Sequence, residues 1–327
     1  MANIMRIGGG GGSKGGKVIV NTDAGATVTA TTTGTTITAV ADAEGIAELK
    51  LSKVGTWTIQ ASKDGLTGPA KIYTAPPVFF LPVVAVANTA PTSGVTYKEG
   101  LEGVTPALMH VYGEAISNNK SINNTTDAVW LDCGAESRKI SIGDTMPLSI
   151  NGAEWAVQVI SFNTDDMADT SEYRSTATGK CGMTLDTVLS IADARMNPTD
   201  TNSGGWANTE MRNTTISAML ATVPTEWQKV MLTRKLANNL GTTPTMDKLA
   251  LHNQAGVTVT GAIAYRLYGR GGNNNFIKEN ASGQAVTWWL RDAGTGNSSY
   301  FYFVNTSGSL NGYYAGTLRG VSPGFAF

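Results

Sequence analysis

The chain has 327 residues, a formal net charge of -1 and a pI near 6.2. That is enough chain for two domains, without the basic excess that neutralises phosphates or docks on anionic lipid. Charged residues make up only 15% against 41% hydrophobic, so cores can form while uncharged polar groups solvate the surface. Beside 38 Gly there are 43 Thr and 23 Asn, a mix that favours strands, turns and polar loops and predicts a β-rich α+β protein.

Residues 1–16, with glycine from Gly8 to Gly12, read as a flexible attachment segment. The N-terminal residues show no continuous apolar stretch with a cleavage site, which predicts a protein without an ordinary export signal. Residues 17–75 alternate short β-branched runs with turns: Val18–Val20, Ala26–Ala30, Thr35–Val40, Ala47–Leu51, Thr56–Ala61 and Lys71–Tyr73. The turns are Asp42-Ala43-Glu44-Gly45 and Lys63-Asp64-Gly65. Such spacing predicts a small antiparallel β-sandwich with Trp57 and Ile59 facing its core.

Residues 76–100 carry Pro76, Pro77, Pro82 and Pro91 and read as a connector. The apolar run Val78–Ala87 is too short to span a bilayer and is expected as a strand or an oligomer contact. In residues 101–327, Thr105-Pro106 marks a helix start followed by Leu108, Val111, Tyr112, Ala115 and Ile116 at helical spacing. Strands are expected at Val129–Leu131, Lys139–Ile142 and Trp155–Phe162, with Asn151-Gly152 as a hairpin turn. Helices are expected at Leu185–Ala192 and Asn208–Leu220, and closing strands at Val286–Leu290, Tyr300–Val304 and Gly324–Phe327.

Chemistry-bearing motifs are sparse. Cys133 and Cys181 lack metal or redox spacing and are expected as free thiols. Only His110 and His252 could serve a nucleophilic mechanism, and neither has a recognisable catalytic setting. Gly11-x-x-x-x-Gly16-Lys17 imitates a phosphate loop but has Val18 where Ser or Thr would hold magnesium. Asp165, Asp166 and Asp169 read as turn residues before they read as cation ligands. Glu210, Glu226 and Asp247 read as surface acids, and Trp206, Trp227, Trp288 and Trp289 as core. No catalytic residue, metal site or cofactor is expected.

The most informative stretch is Arg291–Thr317, where Tyr300, Tyr302, Tyr313 and Tyr314 are interleaved with Asn297, Ser298, Ser299, Asn305, Ser309 and Asn311. Tyrosine supplies rigid amphipathic contact area and the small polar residues adaptable hydrogen bonds, as in antibody loops. Plain hairpin strands show a similar mix. The ligand-binding candidates are Asn297, Ser298, Ser299, Tyr300, Tyr302, Asn305, Asn311, Tyr313, Tyr314 and Thr317.

Ordered blocks then resemble a known family: Ile142-Gly143-Asp144 with Ile150-Asn151-Gly152; Val159 to Asp166; Gly204-Gly205-Trp206 with Met211-Arg212; Asp247-Lys248-Leu249; Trp288-Trp289-Leu290-Arg291; and Gly320 to Phe325. Over about residues 100–327 they resemble the C-type-lectin-like domains at the C-terminus of phage receptor-binding and other virion proteins, some of them targets of diversity-generating retroelements. Residues 17–75 are similar to prealbumin-like or carboxypeptidase-regulatory-like modules. The resemblance implies a scaffold of Trp288, Trp289, Leu290 and Phe325, with a binding stretch from about Asp292 to Thr317. The sugar-binding Glu-Pro-Asn, Gln-Pro-Asp and Trp-Asn-Asp motifs of calcium-dependent lectins are absent, as is the cysteine spacing of the formylglycine-generating enzymes that share the fold.

The expectation is a non-catalytic protein on the virion surface, assembled in the host cytoplasm. It would bind a bacterial surface glycan or protein receptor, contact other virion proteins through its N-terminal region, and work as a homo-oligomer without nucleic acid or membrane insertion. The rival expectations are a capsid or tail decoration protein and a bacterial cell-surface adhesin.

Overall fold

The computed structural model describes residues 3–8, 17–51, 55–68, 70–75, 85–91, 94–133, 136–173, 175–258, 264–270 and 275–327. The phosphate-loop-like Gly11–Gly16 and most of the 76–84 stretch expected as connector lie outside them. The protein is β-rich with few short helices, and it divides into two compact units, Met1–Pro82 and Val83–Phe327.

The first unit holds β1 (Asn3–Gly8), β2 (Lys17–Asn21), β3 (Thr27–Thr32), β4 (Thr35–Val40), β5 (Ile46–Lys50), β6 (Gly55–Lys63), β7 (Leu66–Thr67) and β8 (Lys71–Ala75). They form two antiparallel sheets, β1-β2-β5 and β4-β3-β6-β7, with β8 also paired to β6. Alternation decides the packing. Val18, Val20, Ala47 and Leu49 of one sheet and Val28, Ala30, Trp57, Ile59 and Ala61 of the other share one buried cluster. The turns do what their residues predict. Asp42 Oδ1 accepts from the backbone N–H of Glu44 (3.1 Å) and Ile46 (2.7 Å), and Asp64 and Gly65, at φ 52° and 77°, close a two-residue hairpin. Residues 3–8 correct the expectation of a flexible leader. They pair with β2, whose edge would otherwise present unpaired backbone groups.

The second unit begins inside the expected connector. β9 (Ala85–Ala87) and β10 (Lys98–Glu99) flank β11 (Ala128–Asp132) and β12 (Arg138–Ser141) in the order β10-β12-β11-β9. The polypeptide there is recruited as edge strands, which is why periodicity failed to reveal it. Helix α1 (Pro106–Ser117) starts as expected, with the Thr105 side chain accepting from the Leu108 N–H at 3.3 Å and proline in its first turn. Its C-terminal Ile116 carbonyl is met by Asn163, held at φ 45°, whose Nδ2 donates to it (2.9 Å) and to Ile122 O beyond the helix (3.1 Å).

β13 (Thr145–Ile150) and β14 (Ala153–Phe162) turn at Asn151-Gly152, both at positive φ. Next come β15 (Met183–Thr187), β16 (Ala192–Ala194), a π-helical turn at Met211–Ile216 that runs into α2 (Ser217–Thr222), β17 (Arg234–Leu236), β18 (Thr245–Asp247) and β19 (Leu249–Ala250). The chain closes with β20 (Lys278–Glu279), β21 (Ala285–Val286), β22 (Trp288–Ala293), β23 (Tyr300–Val304), β24 (Leu310–Tyr314), β25 (Arg319–Val321) and β26 (Gly324–Ala326). Two five-stranded sheets result, β13-β14-β15-β26-β19 and β16-β25-β22-β23-β24. The helix expected at Leu185–Ala192 is overturned. All of β15 is buried between β14 and β26, its polar Thr184, Asp186 and Thr187 as well as Met183 and Leu185, because distant partners satisfy those polar groups.

Gly113 sits inside α1 for a steric reason. A Cβ there would lie 2.5 Å from the Tyr173 hydroxyl and 2.6 Å from the Phe327 carbonyl carbon, and the facing Gly182 packs against the Gly113 backbone. Replacing Gly113 with Ala would gain about 1 kcal/mol of helix propensity. We expect it instead to destabilise the protein by about 1–3 kcal/mol through overpacking, read as a lower midpoint in urea unfolding.

Candidate ligand-binding face

The hairpin of β23 and β24 pairs Tyr300 with Tyr314 and Phe301 with Tyr313, and β24 is the outer strand of its sheet. Phe301 and Val304, on opposite faces of β23, are both fully buried, while Tyr313 and Tyr314 are 42% and 43% exposed. The rings of Tyr300, Tyr313 and Tyr314 cluster at the end of this edge strand. Tyr300 and Tyr314 meet edge to face at 4.8 Å, Tyr313 and Tyr314 at 5.4 Å, and Tyr300 and Tyr313 are stacked at 6.4 Å. The neighbouring Tyr314 hydroxyl raises the Tyr300 phenol above its ordinary range, so Tyr300 acts as a neutral hydrogen-bonding group. Arg319 lies beside them, its guanidinium 4.7 Å from the Tyr313 ring and 3.7 Å from that of Phe303.

The turns around this ledge are pinned by residues that sequence reading did not single out. Asn202 is buried, and its Nδ2 lies within hydrogen-bond distance of three carbonyls of one turn: Gly294 (2.9 Å), Asn297 (2.8 Å) and Tyr300 (2.9 Å). Asn239 grips Ala293 from both sides, donating to its carbonyl at 2.6 Å and accepting from its N–H at 3.0 Å. Asp200 accepts from Gly316 N–H at 2.9 Å. The only sequence signal was an Asn- and Gly-rich stretch, which does not say where its amides point.

The ten predicted site residues separate into two groups. Asn297, Ser298, Asn311, Tyr313 and Tyr314 are exposed. Tyr300, Ser299 and Thr317 are half-buried at the rim. Tyr302 is also half-buried and packs against the core cluster of Tyr265, Tyr268, Trp288 and Val304, on the same face of β23 as Tyr300 and Val304. Asn305, half-buried too, shapes its turn: its Oδ1 accepts from the N–H groups of Ser307 (2.9 Å) and Ser309 (2.8 Å).

The ionisable clusters of this unit are buried. Asp186 receives Lys278 Nζ at 2.8 Å, Gln158 Nε2 at 3.1 Å and the Tyr268 hydroxyl, with His252 Nε2 at 3.5 Å. Asp165 receives Tyr265 OH at 2.8 Å, Thr184 Oγ1 at 2.9 Å and Arg234 at 3.2 Å. The His252 and Tyr265 rings touch edge to face at 5.0 Å and join the two groups. Burial alone would raise the Asp186 carboxyl, but the Lys278 ammonium and His252 outweigh it and hold it well below the carboxylate range. Burial also keeps His252 below its ordinary range and therefore neutral at physiological pH.

Lys278, His252, Asp186 and Arg234 are at most 2% exposed, so no substrate reaches them as they stand. Cys133 and Cys181 are free and buried, and burial pushes the Cys133 thiol up to about 11, which disfavours the nucleophilic thiolate.

The other sequence candidates are scattered. Asp166 pairs with Lys180 at 2.6 Å and Asp169 caps Ser171 N–H at 2.8 Å. Glu210 pairs with Arg195 and Asp247 with Arg212. Trp206, Trp288 and Trp289 are fully buried, and Trp227 rests on Phe327. Among the described residues no group of three or more His, Cys, Asp or Glu could hold a metal, and no helix is long and apolar enough to cross a membrane.

No protein-family model, curated protein or solved structure matches the chain.

Removing Lys278 alone, as Lys278→Met, leaves Asp186 buried without its ammonium and is expected to cost about 3–5 kcal/mol, much of it recovered in the double variant with Asp186→Asn. The native Asp186 pKa lies below its unfolded value of about 3.9. Its contribution is therefore complete above about pH 4 and lost as pH falls below that. Chemical unfolding from pH 7 to pH 2 should show a steeper acid loss in the wild type than in the double variant.

Proposed function

We propose that the Val83–Phe327 unit is the non-catalytic receptor-binding head of a phage virion protein, with a C-type-lectin-like fold. In this reading the N-terminal two-sheet module is a prealbumin-like stalk that contacts other virion proteins. The observation that carries it is the exposed tyrosine ledge at the end of an edge hairpin, whose turns are pinned by Asn202 and Asn239. Rigid aromatic area ringed by small polar groups is the composition of recognition surfaces, and a pre-pinned loop loses little entropy on binding. The burial of the ionisable clusters supports recognition without catalysis. Single heads of this size bind weakly, so several copies per particle would act together through avidity.

The test is binding of the labelled full-length chain to a panel of intact bacteria. Selective binding to some strains is expected. Binding to none, by a folded protein, favours a role in contacts between particle subunits. The variant Tyr313→Ser/Tyr314→Ser should lose this binding at a stability cost below about 2 kcal/mol, the size of a few lost aromatic pairs. Tyr302→Ser should instead cost about 3 kcal/mol of stability, because it empties part of the core.

A further inference from the structure

We infer that the ligand of this face is an acidic saccharide whose anionic group is bound by Arg319. The inference rests on the recognition reading above and adds the ligand's chemistry to it.

Arg319 is set apart from the other described arginines. Arg195, Arg212, Arg234, Arg266 and Arg270 each face a carboxylate. Arg138 and Arg291 donate to backbone carbonyls. Arg319 has neither among the described residues. One amino group donates to Thr287 Oγ1 at 2.8 Å, and its Nε, like those of Arg138, Arg234 and Arg291, is buried without a hydrogen-bond partner. The guanidinium has five N–H donors, and here it is held over Phe303 at 3.7 Å, Tyr313 at 4.7 Å and Trp289 at 5.3 Å. Ring faces stabilise a cation only in part. A half-desolvated arginine whose fork is not engaged by a carboxylate is matched by a planar carboxylate or by phosphate oxygens, which it binds bidentately.

The anion would arrive attached to something the ledge can hold. Tyr313 touches both Arg319 and the rings of Tyr300 and Tyr314, so charge recognition and ring stacking converge on one residue. The exposed apolar strip is Tyr313, Tyr314 and Leu318, at 42%, 43% and 67%. That is two side chains at the end of one five-residue strand and a third in the turn after it, far short of the roughly 800 Å² per partner of an ordinary protein interface. It suits one or two sugar rings, whose C–H faces stack on tyrosine while their hydroxyls reach exposed Asn311, Asn297 and Ser298.

The experiment is binding of the full-length protein, wild type, Arg319→Gln and Arg319→Lys, to an array of bacterial polysaccharides with neutral and acidic members. Each acidic member that binds is also presented carboxyl-reduced or dephosphorylated. The expected result is binding confined to acidic members, abolished by removal of the anionic group, weakened at least tenfold in Arg319→Gln and less in Arg319→Lys, with melting temperatures reported for every variant. Should Arg319→Gln fail to fold, the neutralised polysaccharides decide. Binding to neutral members, or undiminished binding after neutralisation, overturns the acidic ligand and leaves the recognition face standing. Binding to intact cells but to no polysaccharide overturns the saccharide. Binding to neither cells nor polysaccharides overturns the recognition reading with it.

Discussion

Two carboxylates with their cations inside the second unit constrain everything around them. Asp186 on β15 meets Lys278 on β20, and Asp165 meets Arg234 on β17, with Tyr265, Tyr268 and His252 filling the space between. A charge taken out of water is tolerable only when its partner and its remaining hydrogen bonds are all in place. Segments distant in sequence must therefore arrive together. Arg234 also donates to the Gly324 carbonyl of β26, and the His252 ring leaves no room for a side chain on Gly324. The closing strand is thereby fixed between β15 and β19, and β22 runs past it with Arg291 donating to Leu251 O.

From this centre outward, chemistry changes from sealed to open. Trp288 and Leu290 on one side of β22 pack into the core with Tyr268, and Trp289 is held by a hydrogen bond to Ala194 O at 3.0 Å. One strand further, β23 is still covered on both faces, by burial of Phe301 and Phe303 on one and Val304 on the other, and in this sheet large side chains face solvent at β24. The edge strand of a sheet is where backbone groups are left for a partner and where sequence can vary without disturbing a core. Buried Asn202 and exposed Asn239 and Asp200 hold the turns in place. This separation of a fixed frame from an adaptable edge is the arrangement that recognition by shape and hydrogen bonding requires.

Local chemistry in the sequence was legible where it acts locally. Alternation located the strands of the first unit, Thr105-Pro106 located the start of α1, and Asn151-Gly152 located its hairpin, because each is decided by neighbours within a few residues. What failed depends on distant partners. β15 was missed because its buried Asp186 and Thr187 are satisfied by Lys278 and Ser322, far along the chain. Residues 85–87 and 98–99 look irregular because other strands recruit them. The Asp186–Lys278 and Asp165–Arg234 pairs are invisible because their members lie 92 and 69 positions apart. At the candidate face, composition picked out a hairpin but could not sort its side chains. Tyr302 looks like Tyr313 and Tyr314 in sequence yet packs against the core cluster, and Asn305 lies in a turn that its own side chain holds.

The central claim is that the β23–β24 edge is the surface that contacts the receptor. The most direct test is hydroxyl-radical footprinting of the full-length protein with and without a bacterial envelope extract that it binds. The account predicts that oxidation of Tyr313, Tyr314 and Leu318 falls on binding, while Leu240 and Met246, exposed at 39% and 47% elsewhere on the same unit, remain as reactive as before. Unchanged oxidation of the three edge residues, with protection appearing elsewhere, would contradict it.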